Sequence, residues 1–335
     1  PFNISTGEPK KKPQAVSPPP SYTQVFGQTI CKMAEKDERV VGITAAMAPG
    51  TGLATLAKEK PGQFIDVGIA EQHAIMLAAG MACEGMRPIA AIYSTFLQRA
   101  YDQVYHDVCI QKLPVIFAID RGGLIGDDGA THQGLYDIGF LRTLPDIVIS
   151  AASNEKELVR LLWTALQYEE GPFAIRYPRA NGEGVDWSIE DEPLPIGKGE
   201  ILKQGADVAI LGYGYMVHRA LEMAEILGNQ GVDCTVANMR YVKPLDADLI
   251  MELAKTHQYF ITYEDHSISG GFSSAVSEAL HDMELTNSLL RLALPDEIIE
   301  HGKREEIFRD YELLPDQAAK RVLKFIHAKS EAVIA

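Results

Sequence analysis

A sustained alternation of short apolar runs with helix-length segments constrains this chain more than any other feature. Runs at residues 40–47, 89–93, 115–120, 147–151 and 173–177 read as strands, and the stretches at 71–83, 96–110 and 155–168 read as helices. The last of these opens on Asn154 with Glu157 three residues on, a helix-start pattern. Around residues 181–195 the periodicity lapses among Gly182, Gly184, Asp186, Pro193 and Pro195. A second alternating set follows, with strands at 208–211, 234–236, 259–263 and 289–294 and helices at 217–227, 247–257, 272–281 and 317–326. Such alternation predicts parallel sheets covered on both faces, hence an α/β chain of two doubly wound domains. The expected division is an arm at 1–20, holding Lys10-Lys11-Lys12 and Pro18-Pro19-Pro20, a first domain at 21–182, a crossing at 183–197 and a second domain at 198–335. With 335 residues, each domain has chain enough for its own core.

Charge narrows the partners. A balance of 31 Lys+Arg against 46 Asp+Glu leaves −15, a field that repels nucleic acid and anionic lipid and any phosphorylated ligand not met by a local arginine cluster. The four cysteines are far apart, with no CxxC pair, so neither a zinc site nor a disulfide framework is indicated and a reducing cytosol is expected. The longest strongly apolar stretch, 74–83, is about half the roughly 20 residues needed to cross a bilayer, so no membrane partner is expected. Residue 1 is Pro rather than Met, which suggests a trimmed piece of something longer.

In sheets of this kind ligands collect beyond the carboxyl ends of strands, and three clusters lie there. Asp66-Val67-Gly68-Ile69-Ala70-Glu71-Gln72-His73 runs from a short apolar strand into a helix, with an acid at the junction that the helix dipole alone would also favour. Tyr93-Ser94-Thr95-Phe96-Leu97-Gln98-Arg99-Ala100-Tyr101-Asp102 follows the strand at 89–93; by spacing alone, Phe96 reads more often as a core or staple residue than as a ligand stack. The loop from Arg121 to Gly134 carries five glycines, which favours a mobile, ligand-approached loop, and its His132 is the best acid/base candidate among nine histidines. Arg99, Arg121 and Arg179 follow strands and are candidates to converge on one anion, although single arginines there are commonly surface ion pairs. Gly126-Asp127-Asp128-Gly129 with the distant Asn154 superficially resembles a magnesium-diphosphate motif, but Asp stands where Gly belongs and Asn154 reads as a helix cap, so no metal ligands are assigned. No phosphate-binding P-loop, Gly-x-Gly-x-x-Gly, His-Glu-x-x-His or Gly-x-Ser-x-Gly motif is present.

Together with His106-Asp107-Val108, Gln111-Lys112-Leu113-Pro114, Thr131-His132-Gln133-Gly134 and Arg176-Tyr177-Pro178-Arg179, these strings resemble the 1-deoxy-D-xylulose-5-phosphate synthase family, thiamine-diphosphate transferases of the transketolase type. The resemblance runs from about residue 21 to residue 326 and covers the family's pyrimidine-binding and transketolase C-terminal-like domains, but not its amino-terminal diphosphate-binding domain. It implies decarboxylation of pyruvate and condensation with glyceraldehyde 3-phosphate, giving a precursor of isoprenoids, thiamine and pyridoxal. It also implies a homodimer acting in the cytoplasm, or in the plastid stroma of a plant or alga.

Residue by residue, the resemblance makes Glu71 the glutamate that hydrogen-bonds the aminopyrimidine nitrogen, with a carboxyl in an apolar setting suited to sharing a proton. It makes Phe96 the ring that stacks on the pyrimidine. Tyr93, Arg99, Arg121, Asp128 and Arg179 would line the substrate path, and His132 would transfer a proton to the acceptor aldehyde. Gly122, Asp127, Ala130 and Ala180 depart from the family's usual residues, and an added carboxylate at Asp127 is expected to weaken anion binding. Magnesium (Mg2+) and the diphosphate would be held by the amino-terminal domain, so these residues alone are expected to be an inactive portion of a longer enzyme, cut or trimmed in an exposed linker. Two other readings remain: the β subunit of a 2-oxo acid dehydrogenase, and a non-catalytic module that supplies a dimer contact.

Overall fold

The computed structural model describes residues 18–188 and 192–334, so most of the expected arm and residues 189–191 of the expected crossing lie outside the described residues. The first helix, Tyr22–Lys36, starts from a reciprocal cap: Ser21 Oγ accepts from Gln24 N, and Gln24 Oε1 accepts from Ser21 N. Among the described residues twelve strands follow: Val40–Thr44 (β1), Phe64–Asp66 (β2), Arg87–Tyr93 (β3), Ile116–Asp120 (β4), Val148–Ala151 (β5), Phe173–Arg176 (β6), Glu200–Lys203 (β7), Val208–Gly212 (β8), Cys234–Asn238 (β9), Tyr241–Lys243 (β10), Tyr259–Ser267 (β11) and Ser288–Leu294 (β12).

The first sheet has the order β10-β5-β6-β4-β3-β1-β2 and is parallel apart from β10. Successive residues of β3 and β4 alternate between two cores. Ala90, Ile92, Phe117 and Ile119 face the alanine-rich helix Glu71–Cys83. Ile89, Ala91, Ile116 and Ala118 face helices Tyr22–Lys36 and Glu155–Gln167. Burial on both sides is why these strands read as unbroken apolar runs. β1 has β2 on one side and β3 on the other, so the chain reverses its course across the sheet there and opens a crevice at the carboxyl ends of β1 and β3.

The second sheet has the order β12-β11-β8-β9-β7, parallel except for the edge strand β7. Its two antiparallel edge strands, β7 here and β10 in the first sheet, make the sheets mixed rather than wholly parallel. Both are only three or four residues long, too short for a periodicity reading. One face of this sheet packs under helices Met216–Gly228 and Pro315–Ile334. The other sends Leu211, Tyr213, Met239 and Phe260 into the same core as Ala90 and Phe117 of the first sheet. With β10 hydrogen-bonded to β5, the two units share a continuous interior.

The helix expected over 96–110 is broken into Ser94–Leu97, a 3₁₀ turn at Gln98–Ala100, Tyr101–Gln103 and a π-helical turn at Val104–Cys109. Irregular winding of this kind re-aims side chains that a uniform helix would carry away from the crevice. The crossing is pinned rather than free: Glu155 accepts from the amides of Glu183 (2.9 Å) and Gly184 (2.8 Å), and Leu194 N donates to Thr164 Oγ1 (2.7 Å).

Candidate active site

At the crevice, β2 ends on Asp66, whose Oδ1 accepts from Ala46 N (2.8 Å) and Gly68 N (2.9 Å) and so ties together the loops after β1 and β2. Gly68, at φ +74°, turns the chain into the helix whose first residue is Glu71. Glu71 is only 4% exposed. Its setting is not the purely apolar one expected, because Arg99 Nη1 donates to Glu71 Oε1 at 2.7 Å.

Tyr93, at the end of β3, begins a ladder of stacked groups in three-residue steps. Its ring stacks on Phe96 with centroids 5.7 Å apart and 12° between planes. The Arg99 guanidinium lies 4.9 Å from the Phe96 ring centre. Arg121 closes the other end, 4.0 Å from the Tyr93 ring centre, and His132 meets the edge of Phe96 at 5.3 Å and 72°. A flat ligand on Phe96 must displace one neighbour, and Arg99, with half its side chain exposed, is better able to move than the buried Tyr93.

Arg121 adopts φ +59°, a strained conformation held by its own contacts. Its backbone N donates to Asp120 Oδ1 (2.7 Å), and its Nη1 donates to Asp120 Oδ2 (2.8 Å) and to Gly50 O. Its Nε is buried and, among the described residues, has no partner. Complete burial pushes the Asp120 carboxyl up to about 6, against the pull of Arg121 and of the Thr23 hydroxyl donating to it at 2.9 Å. Burial likewise raises the Tyr93 phenol above its ordinary value. Arg179 is ion-paired with Asp128, both of them partly exposed. Arg121 and Arg179 line one groove of about 630 Å³ with Ser21, Gln24, Gly50 and Asn181, whereas Arg99 is committed to Glu71. Two of the three candidate arginines therefore converge.

The glycine loop differs most from its sequence reading. Instead of a mobile loop, its base is packed: Leu124, Gln133 and Leu135 are at most 2% exposed, and Gly123 and Gly134 exchange hydrogen bonds of 2.7 and 2.9 Å. A Cβ at Gly123 would sit 1.8 Å from Asp265 Oδ2, and one at Gly122 would sit 2.3 Å from Arg176 Cγ. These glycines admit side chains from distant positions, which no local pattern reveals. Only the tip is open, where Asp127, Asp128, Ala130 and Thr131 are exposed. Asn154 caps its helix by accepting from Glu157 N at 2.9 Å. Among the described residues, no three His, Cys, Asp or Glu side chains are arranged to hold a metal ion.

Sequence reasoning passed over several residues that shape the site: Asp120 with Thr23 beneath Arg121, Thr95, whose hydroxyl donates to Thr131 O at 3.1 Å, and Arg176. Arg176 is buried between the sheets, with Nε 2.9 Å from Asp137 Oδ2 and Nη1 2.8 Å from Asp265 Oδ1. Strand-end position was a signal for Asp120 and Arg176 alone; Thr95 and Arg176 also lie in the quoted strings, without a role assigned to them.

The model of the transketolase pyrimidine-binding domain matches residues 18–184, and that of the transketolase C-terminal domain matches 197–317. Over its whole length the chain is 54% identical to 1-deoxy-D-xylulose-5-phosphate synthase of Gloeothece citriformis, covering 53% of that protein. Over 96% of its length it is 54% identical to the synthase of a Synechococcus strain, covering 49% of that one. It thus spans about half the length of the curated relatives it matches. Among solved structures, a split-gene transketolase described as an inactive beta4 tetramer superposes with TM-score 0.82 at 28% identity, over 91% of this chain and 98% of that one. A Pichia stipitis transketolase superposes with TM-score 0.76 over 94% of this chain and 47% of that one; at 17% identity this likeness speaks to the fold alone. The chain belongs to the transketolase family of thiamine-diphosphate enzymes, as a pyrimidine-binding domain joined to a transketolase C-terminal domain, and is highly similar throughout to 1-deoxy-D-xylulose-5-phosphate synthases.

Proposed function

We propose that these residues form the pyrimidine-binding side of the active site of a 1-deoxy-D-xylulose-5-phosphate synthase, which joins pyruvate, with loss of carbon dioxide, to glyceraldehyde 3-phosphate. The observation that carries the reading is the buried Glu71 carboxyl beside a Phe96 ring whose neighbour Arg99 is half exposed and able to move aside. A buried acid next to a flat aromatic face is the donor set an aminopyrimidine requires. When bound, thiamine diphosphate supplies the nucleophilic carbon that attacks pyruvate.

The protein's own groups do the rest. Glu71 would hydrogen-bond the ring nitrogen and share its proton, and Phe96 would take the plane of the ring once Arg99 swings aside. Arg99 is then free to meet the pyruvate carboxylate. Arg121 and Arg179, which line one groove, offer charge-assisted donors to the phosphate of the aldehyde, countering the −15 field. His132, edge-on to Phe96, delivers a proton to the aldehyde oxygen as the new bond forms. The diphosphate and Mg2+ are assigned to a further domain, so this chain by itself is inactive. Its length relative to the synthases supports this, as does the description of the split-gene transketolase tetramer as inactive. A homodimer is supported by Ile69 (82% exposed), Met76, Tyr105 and Ile110, large apolar side chains left open on the segments around Glu71 and Arg99.

The test is reconstitution with the diphosphate-binding domain of a relative, joined or in trans. Pyruvate-dependent product is expected, and Glu71→Ala should lower turnover by about a hundredfold or more. Turnover at the unsubstituted level by that variant would refute the assignment.

A further inference from the structure

The tip that carries Asp128 and His132 is held from behind by the second domain. Gln133, next to His132 in the chain, is 2% exposed and folds back across the loop. Its Oε1 accepts from Ile125 N (2.9 Å) and Gly126 N (3.4 Å), and its Nε2 reaches Glu300 O at 3.5 Å. Gly302 N donates to Gly126 O at 3.3 Å. A Cβ at Gly126, which has φ +87°, would lie 2.8 Å from Gly302 O, and one at Gly129 would lie 3.2 Å from the His301 Cβ. The turn at 299–303 is therefore a shelf beneath the tip, anchored by Ile299 in the second domain's core. On the front side the tip touches the first domain through Thr95 and through the edge contact of His132 with Phe96.

We infer that Gln133 is a positioning residue: it locks the tip onto the second-domain shelf and so holds the His132 imidazole against Phe96. The second domain, which among the described residues makes no hydrogen bond, ion pair or ring contact with Glu71, Phe96 or His132, thereby sets where the proton-transfer group stands. A neutral amide suits this place, because one oxygen takes two backbone N–H groups while the nitrogen donates to a carbonyl. No apolar side chain of that length satisfies those buried amides. The meaning of His132 rests on the function proposed above. The test below uses no cofactor, so either can fail without the other.

In this chain, His132 should show a ring-current shift in its side-chain proton resonances that Phe96→Leu removes. Gln133→Met keeps the length and deletes the acceptor. It should abolish that shift and speed amide exchange at residues 126–132 by about ten- to hundredfold, with exchange in the strands unchanged. Gln133→Glu retains the acceptor but sets a second oxygen against Glu300 O in place of the donor, so it should leave both changes in place. An unaltered shift and unaltered exchange in Gln133→Met, or the unsubstituted shift and exchange in Gln133→Glu, overturns the inference. Should Gln133→Met not fold, Gly126→Ala pushes on the same contact from the other side and should give the same two changes. Their absence in that variant overturns the inference equally.

Discussion

Arg99 occupies both places that a flat nitrogen heterocycle would need, the carboxyl of Glu71 and a face of Phe96, and it does so with half its side chain in solvent. Arg179 is similarly placed: its pairing with Asp128 is exposed, and such pairs contribute about 0–1 kcal/mol, so a phosphate can displace it. In the reconstituted enzyme, Arg179→Ala should raise KM for the phosphorylated aldehyde by about tenfold or more while leaving KM for pyruvate nearly unchanged. Steady-state kinetics that show equal rises for both substrates would remove the phosphate-binding role. His266 is the opposite kind of residue, wholly enclosed between the sheets. Burial and the nearby Arg176 charge push its imidazole down from 6.5 to about 3, although Asp265 pulls the other way. Between those values the unfolded chain holds a proton that the folded one does not. Stability should therefore fall as the pH drops through this window, by up to about 1.4 kcal/mol per pH unit. His266→Asn should flatten that slope in urea titrations at several pH values, and an unchanged slope would place the acid sensitivity elsewhere.

At the scale of elements, what could be read from the sequence depended on whether one element's pattern contained the answer. β3 and β4 were legible because burial on both faces leaves a continuous apolar run, and the helix Glu71–Cys83 was legible as the stretch after the Asp66 junction. β10 was not, since three residues become a strand only by pairing with β5, some 90 positions away. The site shows the same division. Glu71, Phe96 and His132 were found from strings, but the Glu71–Arg99 pair depends on where a broken helix aims its side chains. The packed base of the glycine loop was not legible because glycine serves mobility and close approach alike, and the groups that approach Gly122 and Gly123, Arg176 and Asp265, lie 54 and 142 positions away. That correction is open to a direct check. Gly123→Ala combines a strained φ of +88° with a Cβ 1.8 Å from a carboxylate oxygen, and should cost more than about 2 kcal/mol in the urea midpoint. A change below about 0.5 kcal/mol would mean that the loop yields easily and that the mobile reading was right.

Across the whole molecule, the two sheets behave as one body by construction. Leu211 and Phe260 of the second sheet lie in the same interior as Ala90 and Phe117 of the first, β10 completes the first sheet's edge, and Arg176 is ion-paired to Asp137 on one side and Asp265 on the other. Removing either domain would strip apolar surface and break the buried Arg176–Asp265 pair that joins the two. Folding as a single cooperative unit follows, even though chains of this length commonly unfold domain by domain. Trp163 and Trp187 both pack against the core of the first sheet, so their fluorescence follows that sheet, whereas far-ultraviolet circular dichroism sums both. The two signals should give superimposable urea transitions with one midpoint, and Arg176→Met should lower that midpoint in both. A dichroism change that precedes or trails the fluorescence in the unsubstituted chain would show that the second sheet melts independently, and the shelf beneath His132 would then be no firmer than the loop it supports.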